Sequence, residues 1–318
     1  MSHLALATQF VETVYQRQIA HIEALPPLFT WRGLYRVHDT QGDVWILRLL
    51  QLPSVVDILT QTAQLLQWFE QHQYPAPRLV LTRDHHAVGL LNGWGSLLLS
   101  YIDGAVLDVH STDFARLGFT LGQLHRVLLT NADRFPRSRC DPALLQTQTA
   151  RQLVAGHDRV APCFQPLLLA LRDSFSVLTS QEETLCLTHG DCWYKNAIKT
   201  PDNTVVLIDW DCGGVGLPIL DLGYLLLTAH YDFTQPFQIA ADAQKIHAIL
   251  HGYQRARRIT PTECAQMQSA VQFALAFQVG EYVTEQKVIA SDDVFLRKVQ
   301  TRMTASIEIA QLAQQAVV

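Results

Sequence analysis

The sequence predicts an α+β protein in which a strand-rich first third precedes a mostly helical remainder. Two observations support this fold class. Short apolar runs broken by turn sequences fill the first third, whereas long stretches with helical spacing dominate after residue 105. The breaker sequence "IDGA" lies between them and predicts a hinge near residues 100–104. We therefore expect two domains, residues 1–102 and residues 103–318.

The first domain is predicted to contain a helix, two antiparallel strands, a second helix and further strands. Residues 1–25 have amphipathic spacing and predict a helix. In "PPLFTWRGLYRVHDTQGDVWILRLL" (26–50), alternation on both sides of "DTQGD" predicts two antiparallel strands. Apolar positions at helical spacing predict a helix from Val55 to Phe69, which must end before Pro75 because proline has no amide donor. Further strands are expected over 78–104.

The second domain combines long helices with one pair of short strands. Helical spacing covers residues 113–128, 236–256 and 265–287. Between them, "LTHGDCWYKN" (187–196) and "KTPDNTVVLIDWD" (199–211) read as apolar strands joined by a turn at "PDN". We expect this hairpin to bring the polar residues at the ends of its strands together.

Composition excludes several classes of protein. A net charge of -5 and a pI of about 6.2 give no basic surface for nucleic acid or an anionic membrane. No window has 18 uninterrupted apolar residues, and the first residues lack the basic region and cleavage site of a signal peptide. The six cysteines show no C-x-x-C spacing. These features predict a cytoplasmic protein without disulfides, nucleic-acid partners or membrane partners.

Three polar side chains end the apolar strands of the hairpin: Asp191, Asn196 and Asp209. Burying such groups is costly unless they are paired. Carboxylate and carboxamide oxygens are the ligands that Mg²⁺ takes in proteins. An Asp and an Asn alone would be weak evidence for a metal site, because both residues are also common in turns. The prediction of a magnesium site therefore depends on the whole combination.

The combination closely resembles the family of aminoglycoside phosphotransferases and choline kinases. The resemblance covers roughly residues 28–285, and H-G-D at 189–191, Asn196, I-D-W-D at 208–211 and then "GLPILDLGYLLL" carry it. The protein-kinase counterpart is H-R-D-L-x-x-x-N followed by D-F-G. The resemblance implies a bilobal protein-kinase-like fold, with a small antiparallel-sheet N-lobe that binds nucleotide and a larger, mostly helical C-lobe. It also implies a Mg²⁺-dependent kinase that transfers the γ-phosphoryl group of ATP or GTP to a small-molecule hydroxyl.

The same resemblance implies roles for residues of the motif. Asp191 would be the catalytic base or would orient the acceptor hydroxyl, and Asn196 and Asp209 would hold Mg²⁺. His189 would shape the catalytic loop rather than react. Asp221 would hydrogen-bond to the backbone of that loop, although an ordinary N-cap of the following helix is an equally simple interpretation.

For the nucleotide, the resemblance implies backbone contacts to adenine near Ser100 and Ile102, and phosphate contacts from Arg48. The sequence departs from the family pattern in two places. The segment expected to cover the phosphates contains only Gly33, and the helix expected to supply a Glu partner offers Gln61, Thr62 and Gln64 instead. We therefore expect Arg48 to be held less rigidly than its counterparts.

For the acceptor, acidic candidates are Asp232, Glu281 and Glu285. Residues 230–318 contain eight acidic and eight basic residues, so they offer no acidic surface for a polycation. Aromatic residues of the same region predict a wall for one cationic or neutral group: Tyr231, Phe233, Phe237 and Tyr282. We expect an amino-alcohol-like or sugar-like acceptor.

Two alternatives remain open. A non-catalytic nucleotide-binding module would explain the missing glycines and the missing Glu, but the intact set of oxygen ligands favours an enzyme. A metallohydrolase would need more histidines near the acids, and none follows until His230. Protein kinase activity is not expected, because no A-P-E sequence follows "IDWD".

Overall fold

The computed structural model divides the chain into two units. The first unit comprises Met1–Gly104 and Thr200–Asp211, and the second comprises Ala105–Lys199 and Cys212–Val318. The division into a nucleotide-binding domain, residues 1–102, and a second domain with the catalytic loop, residues 103–318, stays a prediction. The structure describes residues 3–26, 32–51, 56–127, 134–174, 178, 185–284 and 294–317.

Most of the strands lie in the first third of the chain. The strands of the described residues are β1 (Ile19–Ala24), β2 (Arg32–Asp39), β3 (Val44–Gln51), β4 (Leu79–Val80), β5 (Gly89–Leu91), β6 (Trp94–Ser100), β7 (Ala105–Val106), β8 (Cys186–Thr188), β9 (Ala197–Lys199), β10 (Val205–Leu207) and β11 (Gly214–Gly216). The first unit contains an antiparallel sheet in the order β1-β2-β3-β6-β4, with β5 paired to β6. The small antiparallel sheet and its strand pair around "DTQGD" are confirmed.

Most of the described α-helices lie in the second unit, and only the first two along the chain lie in the first unit. The α-helices of the described residues are α1 (His3–Gln9), α2 (Val56–Gln71), α3 (Phe114–His125), α4 (Pro142–Leu144), α5 (Ala150–Gly156), α6 (Gln165–Ser174), α7 (Pro218–Thr228), α8 (Ala243–Ala256), α9 (Pro261–Ala265), α10 (Met267–Thr284) and α11 (Val294–Val317). The mixed fold class with a mainly helical second part is confirmed. Within the described ranges, no helix is both long enough and apolar enough to cross a membrane.

The helix predicted over residues 1–25 is too long. Helix α1 continues as π-helix over Phe10–Val14 and then stops, and residues 19–24 form β1 instead. Gln16 has a φ of 50°, which is incompatible with a continuing right-handed helix. Pairing of β1 with β2 then satisfies the backbone of this segment. Tertiary pairing has overridden a local helical pattern.

Helix α7 is central to the second unit, because every one of its residues is buried. A helix that is apolar all round belongs in a protein core. Helices α3 and α8 also approach each other closely. A Cβ atom at Gly252 of α8 would collide with the Ala115 carbonyl of α3, so this contact requires glycine. Helix α8 begins later than predicted, because Asp242 caps it by accepting from the amides of Gln244 and Lys245.

Candidate active site

The carboxylate of Asp191 lies just after β8 and has polar partners on several sides. The Tyr224 hydroxyl donates to Oδ1 over 2.6 Å, and Nδ2 of Asn196 donates to Oδ2 over 3.0 Å. The guanidinium of Arg139 lies 3.4 Å from Oδ1. The Asp191 side chain nevertheless keeps 22% of its surface exposed. It is therefore a fixed carboxylate that solvent, or a ligand, can still reach.

His189 and Gly190 shape the turn that precedes Asp191. Gly190 has a φ of 75°, and a Cβ atom there would collide with the Cys212 carbonyl, so only glycine fits. The His189 ring is fully buried, and its Nδ1 accepts a hydrogen bond of 3.3 Å from the Asp191 amide. His189 and Gly190 thus fix the direction in which the Asp191 side chain leaves the chain.

Asp221 fastens this turn from the buried helix α7. Its carboxylate accepts from the amides of His189, over 2.5 Å, and Gly190, over 3.2 Å. The interpretation of Asp221 as an N-cap is wrong, because α7 begins at Pro218 and its N-cap is Leu217. His125 of α3 lies 3.2 Å from Asp221, and burial lowers the pKa of this histidine. A neutral imidazole therefore completes the support of the turn.

Asp191 orients the side chain of Asn196. Its Nδ2 donates to both the carbonyl oxygen and the carboxylate of Asp191, each over 3.0 Å. Within the described residues, Oδ1 of the same amide accepts no hydrogen bond, so it is the Asn196 atom left for a ligand. A carboxamide oxygen in this orientation fits a hard cation such as Mg²⁺. The predicted proximity of Asn196 to Asp209 stays a prediction.

Arg48 of β3 has a carboxylate partner after all, so the expectation that it is loosely held is wrong. Its guanidinium lies 2.5 Å from Asp211 and 3.5 Å from Asp209. The Thr62 hydroxyl of α2 donates to Asp211 over 3.1 Å. The Arg48 and Asp211 side chains are 9% and 4% exposed. Asp211, the second acid of "IDWD", therefore replaces the Glu that α2 lacks.

Asp209 also lies in this part of the first unit and is more accessible than Asp211. Its side chain is 29% exposed, and its backbone has a φ of 63°. Such a backbone conformation is uncommon outside glycine and tends to occur at functional sites. Within the described ranges, no group of three His, Cys, Asp or Glu side chains is placed to hold a metal ion by itself. A cation at Asp209 would need further oxygen ligands, such as nucleotide phosphates.

The residues predicted to meet adenine lie at the end of β6. The Ser100 amide donates to the Arg78 carbonyl over 2.8 Å, and the Tyr101 amide donates to the Val44 carbonyl over 3.2 Å. Ile102 comes after these sheet bonds, and its main chain makes no hydrogen bond within the described residues. The backbone of Ile102 is therefore better suited than that of Ser100 to receive a ligand.

The acidic residues suggested for the acceptor lie in two places. Glu281 of α10 is 4.0 Å from Arg139, the residue that contacts Asp191. Asp232 accepts hydrogen bonds from Thr234, which hold the pKa of Asp232 below its ordinary value. Glu285 lies outside the described residues.

Sequence reasoning missed the contacts of Arg139 and Tyr224 with Asp191. The position of Tyr224 could have been predicted, because it follows Asp221 by three residues and helical spacing places both on one face of α7. Arg139 lies in an irregular segment between helices, where no periodicity indicates which way a side chain points. Its guanidinium stacks 3.9 Å from the centre of the Phe277 ring of α10.

Comparison with solved structures finds proteins that share this fold. Amicoumacin kinase, solved with AMP-PNP, Ca²⁺ and Ami, superposes with a TM-score of 0.70 at 14% identity, covering 98% of this chain and 94% of that chain. A microcompartment-associated aminopropanol kinase gives 0.65 at 17% identity, covering 98% and 97%. Choline kinase from Cryptosporidium parvum gives 0.62 at 14% identity, covering 94% and 92%. These similarities confirm the protein-kinase-like fold.

Sequence comparison identifies the family. No curated protein sequence matches the chain significantly. The sequence model of the phosphotransferase enzyme family matches residues 32–259, more than two thirds of the chain. This match confirms the predicted resemblance and the prediction of an enzyme that transfers a phosphoryl group to an alcohol. The chain belongs to the phosphotransferase enzyme family.

Proposed function

We propose that this protein transfers the γ-phosphoryl group of ATP, with GTP as the alternative donor, to a hydroxyl group of a small molecule. The observation that carries the proposal is the arrangement around Asp191. A partly exposed carboxylate receives one hydrogen bond from Tyr224 and another from Asn196, with Arg139 beside it. Phosphoryl transfer depends mainly on positioning and charge neutralisation, and this arrangement supplies both.

In this proposal Asp191 orients the acceptor hydroxyl and takes its proton as the oxygen attacks the γ-phosphorus, while the bond from that phosphorus to the β,γ-bridging oxygen breaks and ADP or GDP leaves. The donors around the carboxylate fix its direction, because Tyr224 and Asn196 both hydrogen-bond to it. His189 and Asp221 support the turn and take no part in proton transfer. General-base assistance of this kind contributes roughly 10²–10⁴-fold to a rate.

Asn196 and Asp209 would hold Mg²⁺ together with the nucleotide phosphates. The bound ion would neutralise charge that develops on the phosphoryl group during transfer. The orientation of the Asn196 amide and the accessibility of Asp209 both suit this role. Arg48 would bind the α- and β-phosphates, and its link to Asp211 would keep it in place. The backbone at Ile102, with Ser100 beside it, would receive the adenine edge.

The acceptor is proposed to be small and amino-alcohol-like or sugar-like. The equal numbers of acidic and basic residues in 230–318 argue against a polycation such as an aminoglycoside. Glu281 is the acidic candidate with a link to Asp191, because it shares Arg139 with that residue. Asp232 is a second candidate near the catalytic loop.

The experiment that tests the donor half of this proposal is thermal unfolding with ATP or GTP, in Mg²⁺ and in chelator. We expect nucleotide to raise the unfolding temperature more with Mg²⁺ than without it, because metal and phosphates bind together. Asp209→Ala should remove the Mg²⁺-dependent part. Asp202→Ala, which changes an exposed acid in the turn before β10, is the matched control and should keep it.

Equal stabilisation with Mg²⁺ and with chelator in the wild-type protein would contradict the proposal. Mg²⁺-dependent stabilisation without nucleotide consumption, across a panel of amino alcohols, sugars and aminoglycosides, would favour the non-catalytic module. Efficient turnover of aminoglycosides and of nothing else in the panel would show that the acceptor class is wrong.

A further inference from the structure

Helix α11 contains a buried arginine that has no acidic partner among the residues that the structure describes. Arg302 is only 8% exposed, and its guanidinium lies 3.8 Å from the centre of the Tyr231 ring. Throughout the part of the chain that the structure describes, Arg302 forms no ion pair with a carboxylate. Burying a charge without a partner is costly, so such a residue requires an explanation.

The ring beneath Arg302 carries a buried hydroxyl. Within the described residues, Arg302 is the only side chain placed to donate to the Tyr231 hydroxyl, and no acceptor is placed for the hydroxyl's own proton. Burial raises the pKa of Tyr231 to about 12, so the hydroxyl stays protonated and can donate. A buried cation and a buried donor therefore lie side by side, and an anion would satisfy both.

Two more cations lie against rings of residues 231–237, the loop that includes Tyr231 and that we call the aromatic loop. The Lys195 ammonium is 4.4 Å from the centre of the Phe233 ring, and the Lys298 ammonium is 5.6 Å from that of Phe237. Neither lysine forms an ion pair with a described carboxylate. Three of the four rings that suggested a cationic acceptor are thus covered by the protein's own cations: Tyr231, Phe233 and Phe237. These three cations outnumber Asp232, the one acid in the loop sequence, and together they favour an anion at this surface.

The aromatic loop is joined directly to the catalytic loop. The Tyr194 hydroxyl donates to the Tyr231 carbonyl over 2.6 Å, and the Trp193 and Phe233 rings are 5.7 Å apart. An anionic group held by Arg302 would therefore belong to a molecule near the proposed base.

We propose that the acceptor carries a carboxylate or phosphate group, which Arg302 and the Tyr231 hydroxyl bind while Lys298 and Lys195 attract it. The inference rests on the proposed function, since it assigns this anion to the acceptor of the same reaction. A guanidinium binds such a group through two parallel hydrogen bonds, which also fixes the direction of the hydroxyl relative to Asp191. An amino alcohol or sugar that also carries one anionic group meets every requirement.

The alternative is that the Arg302 guanidinium only stacks on the Tyr231 ring and binds no ligand. Binding separates the two cases without any need for turnover. Calorimetric titration of the full chain would use glycerate and glycerol 3-phosphate as anionic probes, with glycerol as the neutral probe. We expect Arg302→Gln to weaken binding of an anionic probe roughly 10- to 100-fold, the worth of charged hydrogen bonds.

Two further variants keep this test decisive. Arg302→Lys preserves the charge and should retain part of the affinity even if the site loses its two-point geometry. Arg297→Gln removes an exposed charge from the same helix and should change nothing. Preference for glycerate or for glycerol 3-phosphate decides whether the anion is a carboxylate or a phosphate. Equal affinity of both anions for the wild type and Arg302→Gln, or no binding of either, overturns the proposal.

The activity arm uses the same compounds and detects nucleotide consumption. Arg302→Gln should raise KM for the anionic acceptor by a similar factor, and it should raise KM for a neutral acceptor by much less. An equal loss with anionic and neutral acceptors would overturn the assignment of this site to the acceptor. Failure of the proposed function would instead show as an absence of Mg²⁺-dependent nucleotide stabilisation, which does not depend on Arg302.

Discussion

Each unit contains an arginine between two carboxylates, and the two arrangements differ in tightness. In the first unit, Arg48 lies 2.5 Å from Asp211 and 3.5 Å from Asp209. In the second unit, Arg139 lies 3.4 Å from Asp191 and 4.0 Å from Glu281. The Arg48 side chain is 9% exposed, and that of Arg139 is 23% exposed.

The difference follows from what each arginine is proposed to do. A nucleotide has the same phosphates in every reaction of a kinase family, so a tightly fixed cation suits it. Acceptors differ from one family member to another, and a looser cation near the base can adjust to them. We expect the tight cluster, Arg48 with Asp211 and Asp209, to contribute to both stability and nucleotide binding. We expect the loose cluster, Arg139 with Asp191 and Glu281, to affect turnover more than stability.

The largest expected effect tests the carboxylate at the centre of the loose cluster. Asp191→Asn should lower turnover by roughly 10²–10⁴-fold, because it removes the group that takes the hydroxyl proton. Nucleotide affinity should change little, since the substitution preserves shape. Steady-state kinetics and nucleotide titration measure the two quantities. Turnover close to that of the wild type would exclude Asp191 as the base.

The second effect tests the tight cluster. Asp211→Asn leaves Arg48 buried without its closest partner, and breaking such a buried pair costs about 3 kcal/mol in the free energy of unfolding. Denaturant unfolding measures this loss, and nucleotide affinity should fall with it because Arg48 is no longer fixed. A loss below about 0.5 kcal/mol, the range for surface changes, would show that Asp211 does not hold Arg48.

A matched substitution on the neighbouring helix serves as the control for this prediction. Asp57→Asn removes an exposed acid from the first turn of α2, and it should leave unfolding and nucleotide affinity almost unchanged. If both variants lost the same stability, general charge balance rather than the Arg48 pair would be responsible.

How well the sequence predicted these clusters depends on the distance along the chain between partners. Asp191 and Asn196 are separated by five residues, and their local motif was sufficient to identify them. Strands β2 and β3 likewise follow from a pattern around one turn. Asp211 and Arg48 are 163 positions apart, so no local pattern could reveal that one replaces a missing partner of the other. The error at residues 19–24 has the same cause, since pairing with β2 decided the outcome.

A third, smaller effect tests the loose arginine itself. Arg139→Gln should lower kcat about 10-fold, because Asp191 loses one partner but keeps its bonds from Tyr224 and Asn196. Unfolding should change less than in Asp211→Asn. Arg137→Gln, which removes a 48% exposed arginine from the same segment, is the control and should behave like the wild type. Equal kcat in Arg139→Gln and the control would show that Arg139 does not act on Asp191.

The smallest effect concerns Glu281, whose link to Arg139 is the longest and most exposed of the four pairs. An ion pair at 4.0 Å with a 47% exposed carboxylate contributes at most about 1 kcal/mol, so Glu281→Gln should change kcat only about twofold. The informative measurement is the same substitution made in Arg139→Gln. If Glu281 acts by positioning Arg139, its effect disappears in the double variant, because nothing remains to position. If Glu281 binds an ammonium group of the acceptor, the effect persists as a higher KM for amino alcohols and is absent for neutral acceptors. The double variant therefore decides whether the looser cluster serves the base or the substrate.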